Sequence, residues 1–268
     1  MAQTHLIVGA GHMGGALLAG WLQSGLMAPR HVAVLDPAPG TEAVYAIERG
    51  AKHLPGPGDI PRTIETVLLA VKPQLFPDIG ADIAKAVGPD ALIISIMAGL
   101  TLGTLSAVFE DNPIVRAMPN MPVSVGQGMT AFVADDFPDR HLAQVEALLG
   151  ASGAVLRVES DTQIDAVTAI SGSGPAYLFH VCETLAAAGL AIGLPEETAR
   201  QLARQTVIGA SAMLEASDAS AAELREAVTS PGGTTQAALD VLGGSGELEA
   251  LMRRAAQAAF RRAGELSG

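Results

Sequence analysis

Two stretches of this chain combine glycine, proline and hydroxyl side chains where a helix would otherwise run: Ser171-Gly172-Ser173-Gly174-Pro175-Ala176-Tyr177 and Ser230-Pro231-Gly232-Gly233-Thr234-Thr235. In a helix interior Gly costs about 1 kcal/mol and Pro about 3 relative to Ala. Such stretches therefore mark helix starts or sharp turns with bare backbone N–H groups. A helix that begins there offers unpaired donors and a positive dipole end, which suit a carboxylate or a phosphate. In the second stretch Ser230, Gly232, Gly233, Thr234 and Thr235 are the candidate anion-binding residues. Thr235 is the candidate for hydrogen bonding to a reacting group, against simple helix capping. Thr168 and Ser173 are candidates beside the first stretch. For Thr168 the alternative is a helix-interior threonine bonded to its own backbone.

A larger anion site is written near the start. Gly9-Ala10-Gly11-His12-Met13-Gly14 follows an apolar run that reads as a strand and opens a helical stretch, the context in which Gly-x-Gly-x-x-Gly means dinucleotide binding. Gly9 permits the tight turn, Gly11 admits a pyrophosphate and Gly14 lets helix and strand pack closely. His12 and Met13 line the loop without catalytic work. Asp36 comes roughly 20 residues further on, at the end of a second strand, where an acid accepts hydrogen bonds from ribose hydroxyls. No Arg follows Asp36 directly, so the cofactor is NADPH or NADH with the balance toward NADH. The alternative is that Asp36 only caps a loop while Arg30 or Arg49 supplies charge. Ala70-Val71-Lys72-Pro73, Ala98-Gly99 and Pro119-Asn120 each end a later strand. Open α/β sheets bind ligands at that edge, so these residues form a candidate floor for the nicotinamide. Lys72 could equally be a solvated charge.

The elements that must position these residues follow from periodicity. Residues 4 to about 158 alternate short β-branched runs with amphipathic stretches, the pattern of βαβ units. Strands are expected at His5–Val8, 31–35, 66–71, 92–97, 114–117, Gly128–Ala134 and 154–158. Helices are expected at 14–23, from an N-cap at Thr41 to Arg49, and near 140–149. Beyond residue 160 the β-branched runs stop and alanine dominates, with helices expected at 161–190, 196–215, 220–228, 233–243 and 246–265. The fold class is thus an α/β Rossmann-type dinucleotide-binding domain, 1–160, followed by an all-α domain, 161–268, for substrate binding and dimerisation.

Composition sets the outer bounds. The 268 residues are 49% hydrophobic but 3% aromatic, and the net charge is −12. A chain this acidic is a poor partner for nucleic acid, because neutralising phosphates needs clustered Lys and Arg. A small anion remains compatible, since a few backbone donors act locally. The lone cysteine, Cys182, excludes an intramolecular disulfide and reads as a small buried apolar residue in a reducing compartment. No signal peptide and no apolar run near 20 residues is visible. The expectation is a cytoplasmic protein with no membrane partner and no metal.

Five segments in order, residues 9–14, 70–74, Arg116-Ala-Met-Pro-Asn120, 165–177 and 228–235, resemble pyrroline-5-carboxylate reductases over essentially the whole length. The last two are particular to that family; the first is shared by many dehydrogenases. The resemblance implies a Rossmann domain and a helical dimerisation domain, a homodimer that can assemble into larger rings of dimers. It also implies reduction of 1-pyrroline-5-carboxylate to L-proline by NADPH or NADH, with Thr235 and Thr168 as the catalytic candidates. Many relatives carry an Asn-Arg-Ser/Thr-like stretch after the second strand, suited to a 2′-phosphate, where this chain has Asp36-Pro37. The rival readings are a reductase of a related cyclic imino acid, a β-hydroxyacid dehydrogenase-like enzyme and a non-catalytic NAD(P) sensor. Against the second, no lysine occurs after Lys85. Against the third, a sensor needs no second anion pocket.

Overall fold

A computed structural model describes residues 4–134 and 139–267. The chain divides into two compact units, the first holding the residues up to Gly172 together with those from Ala259 onward, the second Ser173–Ala258.

The first unit is built on one sheet. Its strands are β1 (His5–Val8), β2 (Val32–Leu35), β3 (Lys52–Leu54), β4 (Thr66–Leu69), β5 (Leu92–Ser95), β6 (Ile114–Pro119), β7 (Gly128–Ala134) and β8 (Gly153–Arg157), in the order β3-β2-β1-β4-β5-β6-β7-β8. From β3 to β6 all pairs are parallel; β7 runs antiparallel to β6, and β8 parallel to β7. Chain order reverses between β1 and β4, which is where such sheets open a ligand crevice.

The helices of this unit are α1 (His12–Gln23), α2 (Thr41–Glu48), α3 (Phe76–Ala86), α4 (Leu102–Ser106), α5 (Asp139–Gly150) and α6 (Asp161–Val167). Strands β1, β2, β4 and β5 are buried over nearly their whole length, as parallel strands covered on both faces must be. Because side chains alternate along a strand, Ile7, Val34, Leu68 and Ile94 enter one core cluster. Leu6, Ala33, Val67 and Ile93 enter the other. Trp21, fully buried in α1, donates its indole N–H to the Leu148 carbonyl at 2.7 Å and so ties α1 to α5.

Several expectations shift at their edges. Helix α1 begins at His12 rather than Gly14, since Gly11 is its N-cap. The N-cap of α2 is Gly40, not Thr41, because an extended glycine there lets its amide reach the Ala10 carbonyl at 3.0 Å. Residues 29–31 form a 3₁₀ turn, so β2 starts at Val32. Strand β6 continues to Pro119. Strand β3 and helices α3 and α4 were not expected. The helix expected over 161–190 is broken: α6 ends at Val167, residues 168–172 form a π turn, and a new helix begins at Gly174. Ile164 packs with Ala131 and Val133 of β7, so α6 belongs to the first unit.

The second unit is helical: α7 (Gly174–Ala191), α8 (Glu196–Glu215), α9 (Ala221–Ala227), α10 (Thr234–Leu242) and most of α11 (Glu247–Ser267). Helix α7 packs against α8 yet buries none of its residues. The start of α9 is fixed by a capping box between Ser220 and Glu223, which holds the Glu223 carboxyl below the usual carboxylate range through its hydrogen bonds to Ser220.

Candidate functional site

The first unit opens a cavity of about 530 Å³ at the carboxyl ends of β1, β2 and β4. Among the sequence-derived candidates, Gly9, Gly11, Asp36, Ala70, Val71 and Lys72 line it. The three glycines divide their work as the motif requires. Gly9 has φ +87°, and a Cβ on it would stand 2.7 Å from the Ala70 carbonyl carbon and the Val71 nitrogen. A Cβ on Gly14 would run into the Gly9 carbonyl. Above Gly11 nothing lies within 4 Å, so the second glycine faces open space at the start of α1, whose N-cap makes no side-chain hydrogen bond. Bare amides beside an open volume fit a pyrophosphate. His12 is the first residue of α1 and is exposed; Met13 follows it, partly buried.

Asp36 is held more firmly than a ribose ligand needs to be. Its Oδ2 accepts from the Ala10 amide at 2.6 Å and its Oδ1 from the Ala38 amide at 2.8 Å. The loop-capping alternative is therefore realised in the geometry, while a carboxylate keeps further lone pairs for hydroxyl donors. His53 of β3 hydrogen-bonds the Asp36 carbonyl at 2.8 Å. Arg49 lies over the Tyr45 ring, 3.3 Å from its centroid, and donates to the Tyr45 carbonyl. Its guanidinium is spent on its own helix end. Pro55, Gly56, Pro57, Leu75, Asp78 and Ile79 also line the cavity, and the sequence reading missed them. The Pro-Gly-Pro turn after β3 was the available signal, hidden because β3 itself is so short.

Pro73, Ala98, Gly99, Pro119 and Asn120 are not in that cavity wall. Topology nonetheless sets them at the same sheet edge, since β4, β5 and β6 are parallel, Pro119 is the last residue of β6 and the others follow their strands. Asn120 is occupied there. Its amide nitrogen donates to the Ser171 carbonyl at 3.3 Å and hydroxyl at 3.1 Å, and its oxygen accepts from the Met129 amide at 2.9 Å. It thereby fixes the π turn to the end of β6. Within that turn Thr168 donates its hydroxyl proton to the Ile164 carbonyl at 2.8 Å, the local bond anticipated for a threonine in helix.

In the second unit the glycine-rich stretch does begin a helix. Gly232 has φ +70°, a left-handed conformation that glycine takes without strain. Gly233, whose amide bonds the Ser230 carbonyl at 3.0 Å, is the N-cap of α10 with no side-chain cap. The first-turn amides from Thr234 onward have no acceptor within the helix. Gly233 and Thr235 are partly buried, and Ser230, Gly232 and Thr234 are exposed. Ser173, just before α7, is partly buried. Cys182 is a free thiol, half-buried rather than buried as expected, because α7 has no covering layer. Among the described residues no cluster of His, Cys, Asp and Glu could hold a metal ion, and no helix is long and apolar enough to cross a membrane.

Comparison with known proteins adds the following. Residues 161–266 match the family profile described as "Pyrroline-5-carboxylate reductase dimerisation". Residues 5–99 match "NADP oxidoreductase coenzyme F420-dependent". A pyrroline-5-carboxylate reductase of Synechocystis is 38% identical over 262 residues, 97% of each chain. The solved structure of a pyrroline-5-carboxylate reductase from Coxiella burnetii superposes with a TM-score of 0.91 at 33% identity, covering 99% of each chain. That of Plasmodium falciparum pyrroline carboxylate reductase with NADP bound gives 0.84 at 26% identity over 99% of this chain and 98% of that one.

Proposed function

This chain belongs to the pyrroline-5-carboxylate reductase family, and we infer that it reduces 1-pyrroline-5-carboxylate to L-proline with hydride from a reduced nicotinamide dinucleotide. The observation that carries the reading is a likeness that spans both units at 38% identity. A cavity of about 530 Å³ beside the glycine loop supports it independently. The β-hydroxyacid dehydrogenase and sensor readings would share the cavity but leave the likeness over both units unexplained.

The coenzyme, when bound, supplies the hydride that reaches the imine carbon. Gly9, Gly11 and Gly14 shape its pyrophosphate site, Asp36 receives its adenosine ribose, and Ala98, Gly99 and Pro119 form the floor toward its nicotinamide. The chain's own residues have modest chemistry to do, because a protonated imine is already a strong electrophile. Positioning dominates, and good orientation is worth roughly 7–11 kcal/mol. The amides of Thr234 and Thr235 hold the substrate carboxylate at the start of α10, with Ser230 and Gly232 beside them; the Gly233 amide, expected to join them, is already bonded to the Ser230 carbonyl. The Thr235 hydroxyl hydrogen-bonds the substrate, including its nitrogen. Thr168, its proton given to Ile164, serves as an acceptor toward the nicotinamide amide, and Ser173 shapes its surroundings.

The coenzyme preferred is NADH. Asp36 cannot swing away from a 2′-phosphate without giving up the Ala10 and Ala38 amides, and the nearby Arg49 is engaged with Tyr45. Among the described residues of the cavity wall Lys72 is the sole cation, against Asp36 and Asp78. The enzyme works as a homodimer through the second unit, assembles into rings of dimers, and resides in the cytoplasm. Mixing purified protein with 1-pyrroline-5-carboxylate and each reduced coenzyme tests the reading by loss of reduced-nicotinamide absorbance and formation of proline. No consumption with either coenzyme would defeat it.

A further inference from the structure

We propose that Arg116 is a positioning residue for the loop that follows β5 and, through that loop, for the nicotinamide half of the coenzyme. The proposal rests on the coenzyme reading above. Arg116 stands on β6 with 1% of its surface exposed, a permanent charge deep in the first unit. Its Nη1 donates to the Asp161 carboxylate at 2.6 Å, and its Nη2 donates to Asp165 at 2.8 Å and to the Ser267 hydroxyl at 3.3 Å. Ser267 in turn donates to Asp165 at 3.0 Å. One guanidinium thus binds the start of α6, its middle and the last turn of α11.

Two of those partners go on to grip a third segment. The Asp161 carboxylate accepts from the Leu102 amide at 3.3 Å, at the start of α4. The last turn of α11 lies against Gly99: φ there is +78°, and a Cβ would run into the Leu266 carbonyl. The residues between Gly99 and Leu102 are therefore held at both ends, and both holds lead back to Arg116. Burying an ion pair is weak evidence for stability, because desolvation offsets much of the attraction. What a fork of fixed hydrogen bonds does supply is geometry. Here it is delivered to the loop at the carboxyl end of β5, at the edge where open α/β sheets meet their ligands. The cavity wall beside Asp36, by contrast, includes none of these residues.

The test separates the two halves of the coenzyme. ADP probes the Asp36 end alone; NADH spans both. Titrate each ligand, and measure kcat and KM for NADH, in wild type, Arg116→Lys and Ser267→Ala. The expected result is ADP affinity unchanged and NADH affinity about tenfold weaker with a lower kcat, within the roughly hundredfold that a 1 Å misplacement can cost. Equal loss for both ligands would make Arg116 a scaffold residue only, and no loss for either would remove its role; both results overturn the proposal. Should Arg116→Lys fail to fold, Ser267→Ala approaches the same loop from the α11 side. Wild-type protein that bound neither ligand would remove the coenzyme reading itself, and this proposal with it.

Discussion

Asp36 clamps the glycine loop: its carboxylate takes the Ala10 amide at 2.6 Å, while the Ala10 carbonyl takes the Gly40 amide at 3.0 Å. The peptide between the first two glycines is thus held on both sides by the segment after β2. Substituting Asp36 touches two things at once, ribose recognition and loop geometry. Asp36→Ala should weaken NADH by about tenfold, or 1.4 kcal/mol, while relief of repulsion toward a 2′-phosphate offsets the same loosening for NADPH. Steady-state kinetics with both coenzymes would show the preference narrowing. An unaltered ratio would mean that the carboxylate does not select.

The glycines of the loop can be told apart by substitution. Gly9→Ala forces a side chain into positive φ and against the peptide after β4, a strain of order 1–3 kcal/mol. Melting temperature and coenzyme affinity should both fall. Gly11→Ala meets nothing within 4 Å, so its melting temperature should stay near wild type while coenzyme affinity drops. A Gly11→Ala protein with normal affinity would place the pyrophosphate elsewhere.

Much of this was legible in sequence because it is local. The buried strands announce themselves as apolar runs, and the glycine loop is recognisable from its strand–turn–helix setting. Strand β3 was not, since two of its three residues are exposed and only Leu54 is buried; its existence depends on pairing with β2. Helix α3 is preceded by Pro73 and carries Pro77 and Gly80, which mask its period. The π turn at 168–172 lies where hydroxyls and glycines gather, yet its form is fixed by Asn120, 51 positions away from Ser171. Arg116 was visible only as part of a motif. Its partners lie 45, 49 and 151 positions away, and no local pattern encodes such a network.

Thr235→Ala should lower kcat/KM for the imine by at least about tenfold, a loss of 1.4 kcal/mol in transition-state binding. The backbone amides of the α10 start remain in the variant, so carboxylate binding persists and the loss should appear mainly in kcat. Helix capping is no alternative role, since Gly233 is the N-cap and no side chain caps α10; unchanged kinetics would remove Thr235 from the mechanism.

His5 supplies an acid-sensitive term in stability. Burial, with His31 adding repulsion, lowers its pKa from 6.5 to about 4; the ring sits edge-on to Trp21 and hydrogen-bonds the Thr4 hydroxyl. The folded pKa lies below the unfolded one, so above pH 6.5 the group is neutral in both states and contributes no pH dependence. As pH falls from 6.5 toward 4 the unfolded chain takes up a proton that the folded protein refuses. Stability is lost across that window, by roughly 3 kcal/mol at full development. Urea unfolding between pH 7 and 4 should show the slope, and His5→Gln should flatten part of it. Equal slopes in the two proteins would assign the acid sensitivity to other groups.

Helix α7 is the sharpest statement of what the second unit lacks alone. Phe179 is 68% exposed and Leu178 54%, and Ile192 just past the helix end is 83% exposed. Apolar side chains exposed together on this scale mark a surface that another surface covers. In a symmetric pair each substitution is felt twice, and burying one large apolar side chain stabilises by about 1.5–3 kcal/mol. Phe179→Glu should therefore weaken self-association by a hundredfold or more, about 3–6 kcal/mol, and sedimentation velocity at micromolar concentration should report a smaller species. Far-ultraviolet circular dichroism should remain helical, because Phe179 buries little within its own chain. An unchanged sedimentation coefficient would put Phe179 outside the contact between copies and transfer the covering role to other exposed helices, with Ile208 and Met213 of α8 the next positions to substitute.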